Sequence, residues 1–314
     1  GLKGILANEG AVIPANGMVL GKAKIRGVES RGMMCSLAEL ELSEDHDGII
    51  ELPENAVIGT PAAEALGNNG FPIDPVIEIA ITPNRPDCLG VRGIARDLAA
   101  AGLGTLKSDT VQAASSDFES DIKIKVATPD CPVFAGRVIR GLKNGASPDW
   151  LSARLQAIGQ RRINTLVDIT NYISFDRGRP LHVYDVSCLS GTVTARAGQA
   201  GEKFTALDEE SYEIDKNDCV IADDKSVLGF GGVKGGLESG ANEATTEVLV
   251  ESAWFEPIAI ANTGRRHGID SDARYRFERG VDPQSVLPGL DQAVQMITQL
   301  CGGEVSSLIQ AGDV

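Results

Sequence analysis

The chain is poor in the residues that most often carry chemistry. Its 314 residues include three histidines, two tryptophans and four tyrosines, and aromatics make up 4%. No H-E-x-x-H occurs, and cysteines 35, 88, 131, 188, 219 and 301 are scattered singly, with no C-x-x-C and no Cys/His cluster. A metal site is therefore not expected, and the cysteines read as reduced thiols of a cytoplasmic protein. No G-x-S-x-G elbow announces a serine nucleophile. No apolar run approaches the roughly eighteen residues of a membrane span. The opening "GLKGILANEG" has neither an initiator Met nor the charged and apolar regions of a signal peptide, so no leader is expected. Positive charge is scarce too, with 29 Lys and Arg against 44 Asp and Glu, a net charge of −15. That balance argues against non-specific wrapping of nucleic acid or an anionic membrane, though not against a local basic site.

Such a site has candidates in Arg161-Arg162, Arg265-Arg266-His267, Arg274, Arg276 and Arg279. Solvated helix ends and surface ion pairs are the competing reading of the same residues. At 42% hydrophobic, the chain can bury a large core, and its length predicts two or three domains. Residues 1 to about 38 read as short strands separated by glycine turns. "VIEIAIT" (76–82) predicts a strand, and Asp87 a helix cap, with Leu89, Ile94, Leu98 and Ala101 near one helix face and Gly102 as its stop. "KSDTVQAASSDFESD" has the polarity of a linker, and "IKIKVAT" alternates as a strand. Ser147-Pro148 predicts a helix start, with Leu151, Leu155 and Ile158 on one face. Residues 192–254 are strand-rich, and a closing helix runs from Asp282-Pro283 to Cys301, where Pro288 implies a kink or a later start. The expected fold is a mixed α+β, multidomain one.

Few motifs carry chemistry. "GFGGVKGG" (229–236) lacks the spacing of a phosphate loop and suits a tight turn or close ligand approach better. His182, in "PLHVYD", reads as either a hydrogen-bonded structural residue or a working one. In "EVLVESAWF" alternation puts Glu251 on a strand face with Leu249 and Ala253. A buried carboxylate there costs several kcal/mol unless something binds it, and an exposed strand rim is the alternative.

Four stretches, "ITPNRPDCLGVRGIARDLA", "RRINTLVDITNYISFDRGRPLHVYD", "VLVESAWF" and "TGRRHGIDSDARYRFERGVDP", together resemble the β subunit of bacterial phenylalanyl-tRNA synthetases, in order along essentially the whole chain. "AKIRGVESRGMMCSLAEL" resembles the end of that subunit's OB-fold tRNA-binding domain. The resemblance implies a piece of a longer subunit, without the family's N-terminus and its later synthetase-like and anticodon-binding modules. It implies a partial OB-fold β-barrel segment over 1–38, a small α/β domain over 39–106, a linker over 107–120 and an editing domain of mixed sheets and flanking helices over 121–314. The editing domain hydrolyses tyrosine wrongly attached to tRNA(Phe). The family's pocket falls on Thr170, Asn171 and His182 at the hydrolytic end, and on Gly235, Glu251, Ser271 and Ala273 around the amino acid. Ser271 stands where some relatives have threonine. ATP and Mg2+ serve aminoacylation in the whole enzyme, an α2β2 heterotetramer, and neither is implied for this stretch.

Phenylalanine and tyrosine differ by one hydroxyl, which a hydrophobic pocket rejects only by about a hundredfold. An editing pocket must reward that hydroxyl and leave its own polar groups unpaired when phenylalanine enters. On the resemblance, Glu251 accepts the phenol proton, and His182 reads the hydroxyl or the ester or serves as general base. Two other function classes stay open: a structural or tRNA-binding module without turnover, and a small-molecule binding protein.

Overall fold

The computed structural model describes residues 1–42, 48–68, 75–108 and 111–313. The chain divides into two compact units, Gly1–Ile77 with Ser152–Arg161, and Glu78–Leu151 with Arg162–Val314. In the first unit, β1 (Lys3–Gly4), β2 (Leu6–Asn8), β3 (Ala23–Ile25), β4 (Val28–Ser30), β5 (Gly32–Met34) and β6 (Glu51–Leu52) pair as β1–β6, β2–β5 and β3–β4, followed by α1 (Ala62–Gly67). These are short paired ribbons, none closed into a barrel among the described residues. Ile5, Ile13, Cys35, Ile50 and Leu66 form their small core.

The second unit begins with α2 (Val91–Ala100), β7 (Lys123–Ala127) and β8 (Val133–Arg140); the boundary falls within α3 (Asp149–Ala157), whose residues from Ser152 on belong to the first unit, and the second resumes before α4 (Thr165–Arg177). Next come β9 (His182–Asp185), β10 (Thr192–Ala197), β11 (Lys203–Thr205), β12 (Ser211–Glu213), β13 (Cys219–Ala222), β14 (Val227–Phe230), β15 (Lys234–Gly235) and β16 (Glu247–Trp254). The unit closes with α5 (Pro257–His267), α6 (Asp272–Phe277), α7 (Val286–Cys301), β17 (Glu304–Val305) and β18 (Ile309–Gly312). One sheet has the order β15-β14-β13-β10-β7, with β10 and β7 parallel. The other runs β17-β8-β16-β9, with β18 also on β8. Leu249 and Ala253 of β16 join a core shared with Val220, Ile221 and Phe230 of the first sheet. On the opposite face of β16, the Ser252 hydroxyl donates to the Val286 carbonyl at the start of α7. This is the mixed α+β architecture expected. No helix among the described residues is long and apolar enough to cross a membrane.

Several local expectations change. Residues 75–82 form no strand: Val76, Ile77 and Ile79 are 58%, 80% and 50% exposed, and no neighbouring strand pairs with them among the described residues. Alternation supplies a strand's pattern, but only a partner ladder satisfies its backbone. Asp87 does not cap α2, whose N-cap is Gly90, because its carboxylate is engaged by Arg85 and Arg96. Leu98 is exposed rather than on a buried face, whereas Gly102, at φ +79°, does follow the helix end. On α3, Leu151 and Leu155 are buried and Ile158 is exposed. The closing helix starts later than Asp282: a 3-10 turn over Pro283–Ser285 precedes α7, so Pro288 sits in its first turn, where its missing N–H breaks no helical hydrogen bond. Asp109 and Thr110 of the expected linker lie outside the described residues, and the rest of 107–117 has neither helix nor strand. All six cysteines are free, five of them buried and Cys188 exposed.

Candidate active site

Asn164 caps α4 by accepting from the Val167 N–H at 3.1 Å, and Gly178, at φ +68°, ends it in the left-handed conformation. The chain then turns through Arg179-Pro180 into β9. Antiparallel pairing sets His182 opposite Glu251 and Tyr184 opposite Leu249. Strand periodicity therefore puts His182, Tyr184 and Glu251 on one face. The "GFGGVKGG" run is the β14–β15 hairpin that folds over this face. A Cβ on Gly235 would lie 2.4 Å from Cε1 of His182, so only glycine admits the imidazole there. Ser271 caps α6 by accepting from the Arg274 N–H at 3.1 Å, and its hydroxyl donates to the Val233 carbonyl at 2.7 Å, tying α6 to the hairpin.

These elements enclose a cavity of about 460 Å³, mouth included, lined by His182, Tyr184, Phe230, Gly235, Glu251 and Ala273 among others. At its base the Tyr184 hydroxyl donates to Oε2 of Glu251 at 2.5 Å. Glu251 is 6% exposed, and burial pushes its carboxyl up to about 7 against the opposing effects of the Tyr184 hydrogen bond and the Arg179 charge. Burial, then the charge and hydrogen bond of Glu251, hold the Tyr184 phenol well above its ordinary value, so the shared proton stays on the tyrosine. His182 has Nε2 out of solvent and without a hydrogen-bond partner. Burial lowers its pKa to about 4, which makes it a neutral imidazole near pH 7. Arg179 lies behind the strand and donates to Ser252 and to the Ala253 carbonyl. Burial lowers it to about 10, still cationic at neutral pH.

Four of the seven residues named from sequence thus line one cavity: His182, Gly235, Glu251 and Ala273. Ser271 acts behind the wall as cap and tether. Thr170 and Asn171 are on α4 and do not line this cavity. The Thr170 hydroxyl is spent on the Val167 carbonyl at 2.7 Å. Sequence reasoning missed Tyr184, although its place two residues beyond His182 on one strand was the available signal. It also missed Arg179 and Phe230.

The clustered arginines largely pair within the fold. Arg266 and His267 meet the fully buried Asp218, Arg274 meets Glu278 at 3.0 Å, Arg276 meets Asp272 at 3.0 Å, and Arg279 meets Glu278 at 2.8 Å. The glycine run is a hairpin and not a loop entering a helix N-terminus. Among the described residues, the one group with metal-like spacing, Asp87, Cys88 and Asp97, is filled by Arg85, whose Nη2 reaches all three at 2.9, 2.9 and 2.7 Å.

The B3/4 domain family matches residues 130–302, and the family described as "Putative tRNA binding domain" matches residues 2–61. The chain is 53% identical over 99% of its length to the phenylalanine--tRNA ligase beta subunit of Nitrobacter winogradskyi, 55% over 99% to that of Rhodospirillum rubrum, and 52% over 100% to that of Novosphingobium aromaticivorans. It spans 38%, 39% and 39% of those proteins. An N-terminal fragment of the phenylalanyl-tRNA synthetase beta subunit from Pyrococcus horikoshii aligns with 14% identity and a TM-score of 0.44, over 74% of this chain and 65% of that one. With a B3/4 domain around the cavity and relatives of one name matched along 99–100% of this chain, the chain belongs to the family of phenylalanine--tRNA ligase beta subunits.

Proposed function

We propose that the cavity between β9, the β14–β15 hairpin, β16 and α6 is an editing site that hydrolyses the ester of tyrosine mischarged onto tRNA(Phe). The observation that carries this reading is the bond between the Tyr184 phenol and the Glu251 carboxylate. The cavity base already holds a phenol hydroxyl on a buried acceptor, which is the chemistry that separates tyrosine from phenylalanine. A tyrosyl ring beside Gly235 and Ala273 would offer its hydroxyl to Glu251, whereas a phenylalanyl ring would leave that acceptor unpaired. Ester hydrolysis then requires a placed water and donors for the developing oxyanion. Neutral His182, with Nε2 unpartnered, can accept a proton from such a water or orient the ester.

The placement of Thr170 and Asn171 away from the cavity wall favours a second reading, a tRNA-binding module without turnover. Under the first reading residues 121–314 form the editing domain, preceded by the tRNA-binding segment 1–38, the small domain 39–106 and the linker 107–120. Aminoacylation, with ATP, Mg2+ and the α subunit of a cytoplasmic α2β2 enzyme, belongs to the rest of the whole protein.

Deacylation of Tyr-tRNA(Phe) and Phe-tRNA(Phe) separates the two. The editing reading expects a clear tyrosine preference that Glu251→Ala lowers by roughly ten- to a hundredfold, the size of one hydrogen bond to a charged group. Circular dichroism confirms the fold of the variant. No turnover by the wild type would leave the second reading.

A further inference from the structure

We infer that Tyr184 is a positioning residue for Glu251: its phenol holds one carboxylate oxygen and leaves the other to accept the hydroxyl of a bound tyrosyl group. The inference rests on the editing reading above and adds a residue to its specificity. Tyr184 donates to Oε2 of Glu251, the carboxylate's only hydrogen bond among the described residues. The ring is 3% exposed and makes an edge contact with His182, centroids 4.5 Å apart at 72°. Packed between His182 and the carboxylate it bonds, the phenol is confined where it is. A carboxylate has two accepting oxygens. One fixed donor on Oε2 restrains the group, and Oε1 of this cavity-lining residue keeps its accepting capacity. Because the Tyr184 hydroxyl donates to the ionised form, it also favours the acceptor-only state that recognition of a phenol requires.

Several elements bring charged or titratable groups toward Glu251. Tyr184 and His182 come from β9, Arg179 precedes that strand, Cys131 precedes β8, and Cys219 lies on β13. Lys234 of the hairpin lines the cavity but is held by Asp208. Burial raises both thiols and keeps His182 neutral at neutral pH. Tyrosine preference should therefore grow as pH rises through the titration of Glu251 near 7. Without the Tyr184 hydroxyl that growth should come at higher pH.

The test is Tyr184→Phe, read in two ways. In this chain, the infrared carboxyl band of Glu251, assigned by difference against Glu251→Gln, is followed through pH; its midpoint should move upward in the variant. In a synthetase whose β subunit carries this sequence, the ratio of Tyr-tRNA to Phe-tRNA deacylation should fall about tenfold near neutrality and recover as pH is raised. A loss equal at all pH values, with the midpoint unmoved, would make Tyr184 a packing residue. A rise in the ratio would make it an internal competitor for Glu251. Either result overturns the inference. A wild-type enzyme with no tyrosine preference would overturn the editing reading instead, and the infrared midpoint would still decide whether Tyr184 controls Glu251.

Discussion

Glu251 is an acid whose folded pKa, about 7, lies above its ordinary 4.5. A carboxyl raised by folding contributes stability below its unfolded value and loses it as pH climbs through the folded one. The wild-type protein should thus lose stability between about pH 4.5 and 7 through this residue, on the order of 3 kcal/mol. Glu251→Gln, which cannot ionise and still accepts from Tyr184, should flatten that slope; parallel urea titrations at pH 4.5, 6 and 7.5 measure it, and identical slopes would contradict the burial argument. At Gly235 the constraint is steric. Gly235→Ala would push the imidazole aside, since its Cβ would meet His182 Cε1 at 2.4 Å and Nε2 at 2.9 Å. Overpacking of this kind costs about 1–3 kcal/mol. A shifted His182 Cε1 proton resonance, with deacylation lost well beyond the loss of stability, is the expected result. Both effects depend on neighbours distant in sequence, Tyr184 and Arg179 for Glu251 and His182 for Gly235, so residue identity alone did not reveal them.

At the scale of elements, β13 and α5 are joined through Asp218. Its carboxylate is fully buried and accepts from Arg266, from the Asp215 N–H at 2.8 Å, and pairs with His267 Nε2 at 2.7 Å. His267 in turn stacks on Phe230, centroids 4.5 Å apart at 26°, and Phe230 lines the cavity. Asp218→Ala should leave the Arg266 guanidinium and the His267 ring without their shared partner and cost about 3 kcal/mol, measured by urea denaturation at neutral pH; a loss within the range of ordinary surface substitutions would refute this role. The sequence pointed to these basic residues as a cluster, and the ion-pair alternative is the one their contacts support. It could not supply the partner, because Asp218 is 48 residues from Arg266 along the chain. Helix ends were more legible. Asn164 and Gly178 bound α4 by local rules, and Pro288 fell within the first turn of α7 once the preceding 3-10 turn took up Pro283. Asp87 failed as a cap because Arg85, two residues back, and Arg96, nine residues on, both claim its carboxylate.

For the whole molecule, charge is the governing quantity. With a net charge of −15 and its arginines largely engaged in internal pairs, the chain by itself should bind tRNA weakly and with steep salt dependence. Filter binding or fluorescence anisotropy between about 50 and 200 mM salt checks this. Tight binding that persists at the upper end would point to an RNA surface elsewhere on the chain.

Local sequence determined where elements form whenever their signals are local. Alternation in 192–197 and 247–254, the Asn164 cap and the Gly102 and Gly178 stops all act within a few residues, and each appears in the structure. Sequence also marked Glu251 as a carboxylate on an apolar face. Only the tertiary structure decided what that face meets. Period-two alternation assigns a residue to a face but cannot name the strand that pairs with it. "VIEIAIT" alternates and finds no partner strand among the described residues, whereas β9 finds β16 in the register that sets His182 opposite Glu251. That register brings the Tyr184 phenol to a carboxylate 67 residues away. Strand pairing is a long-range choice made by burial and packing, and here it brought His182, Tyr184 and Glu251 to one cavity.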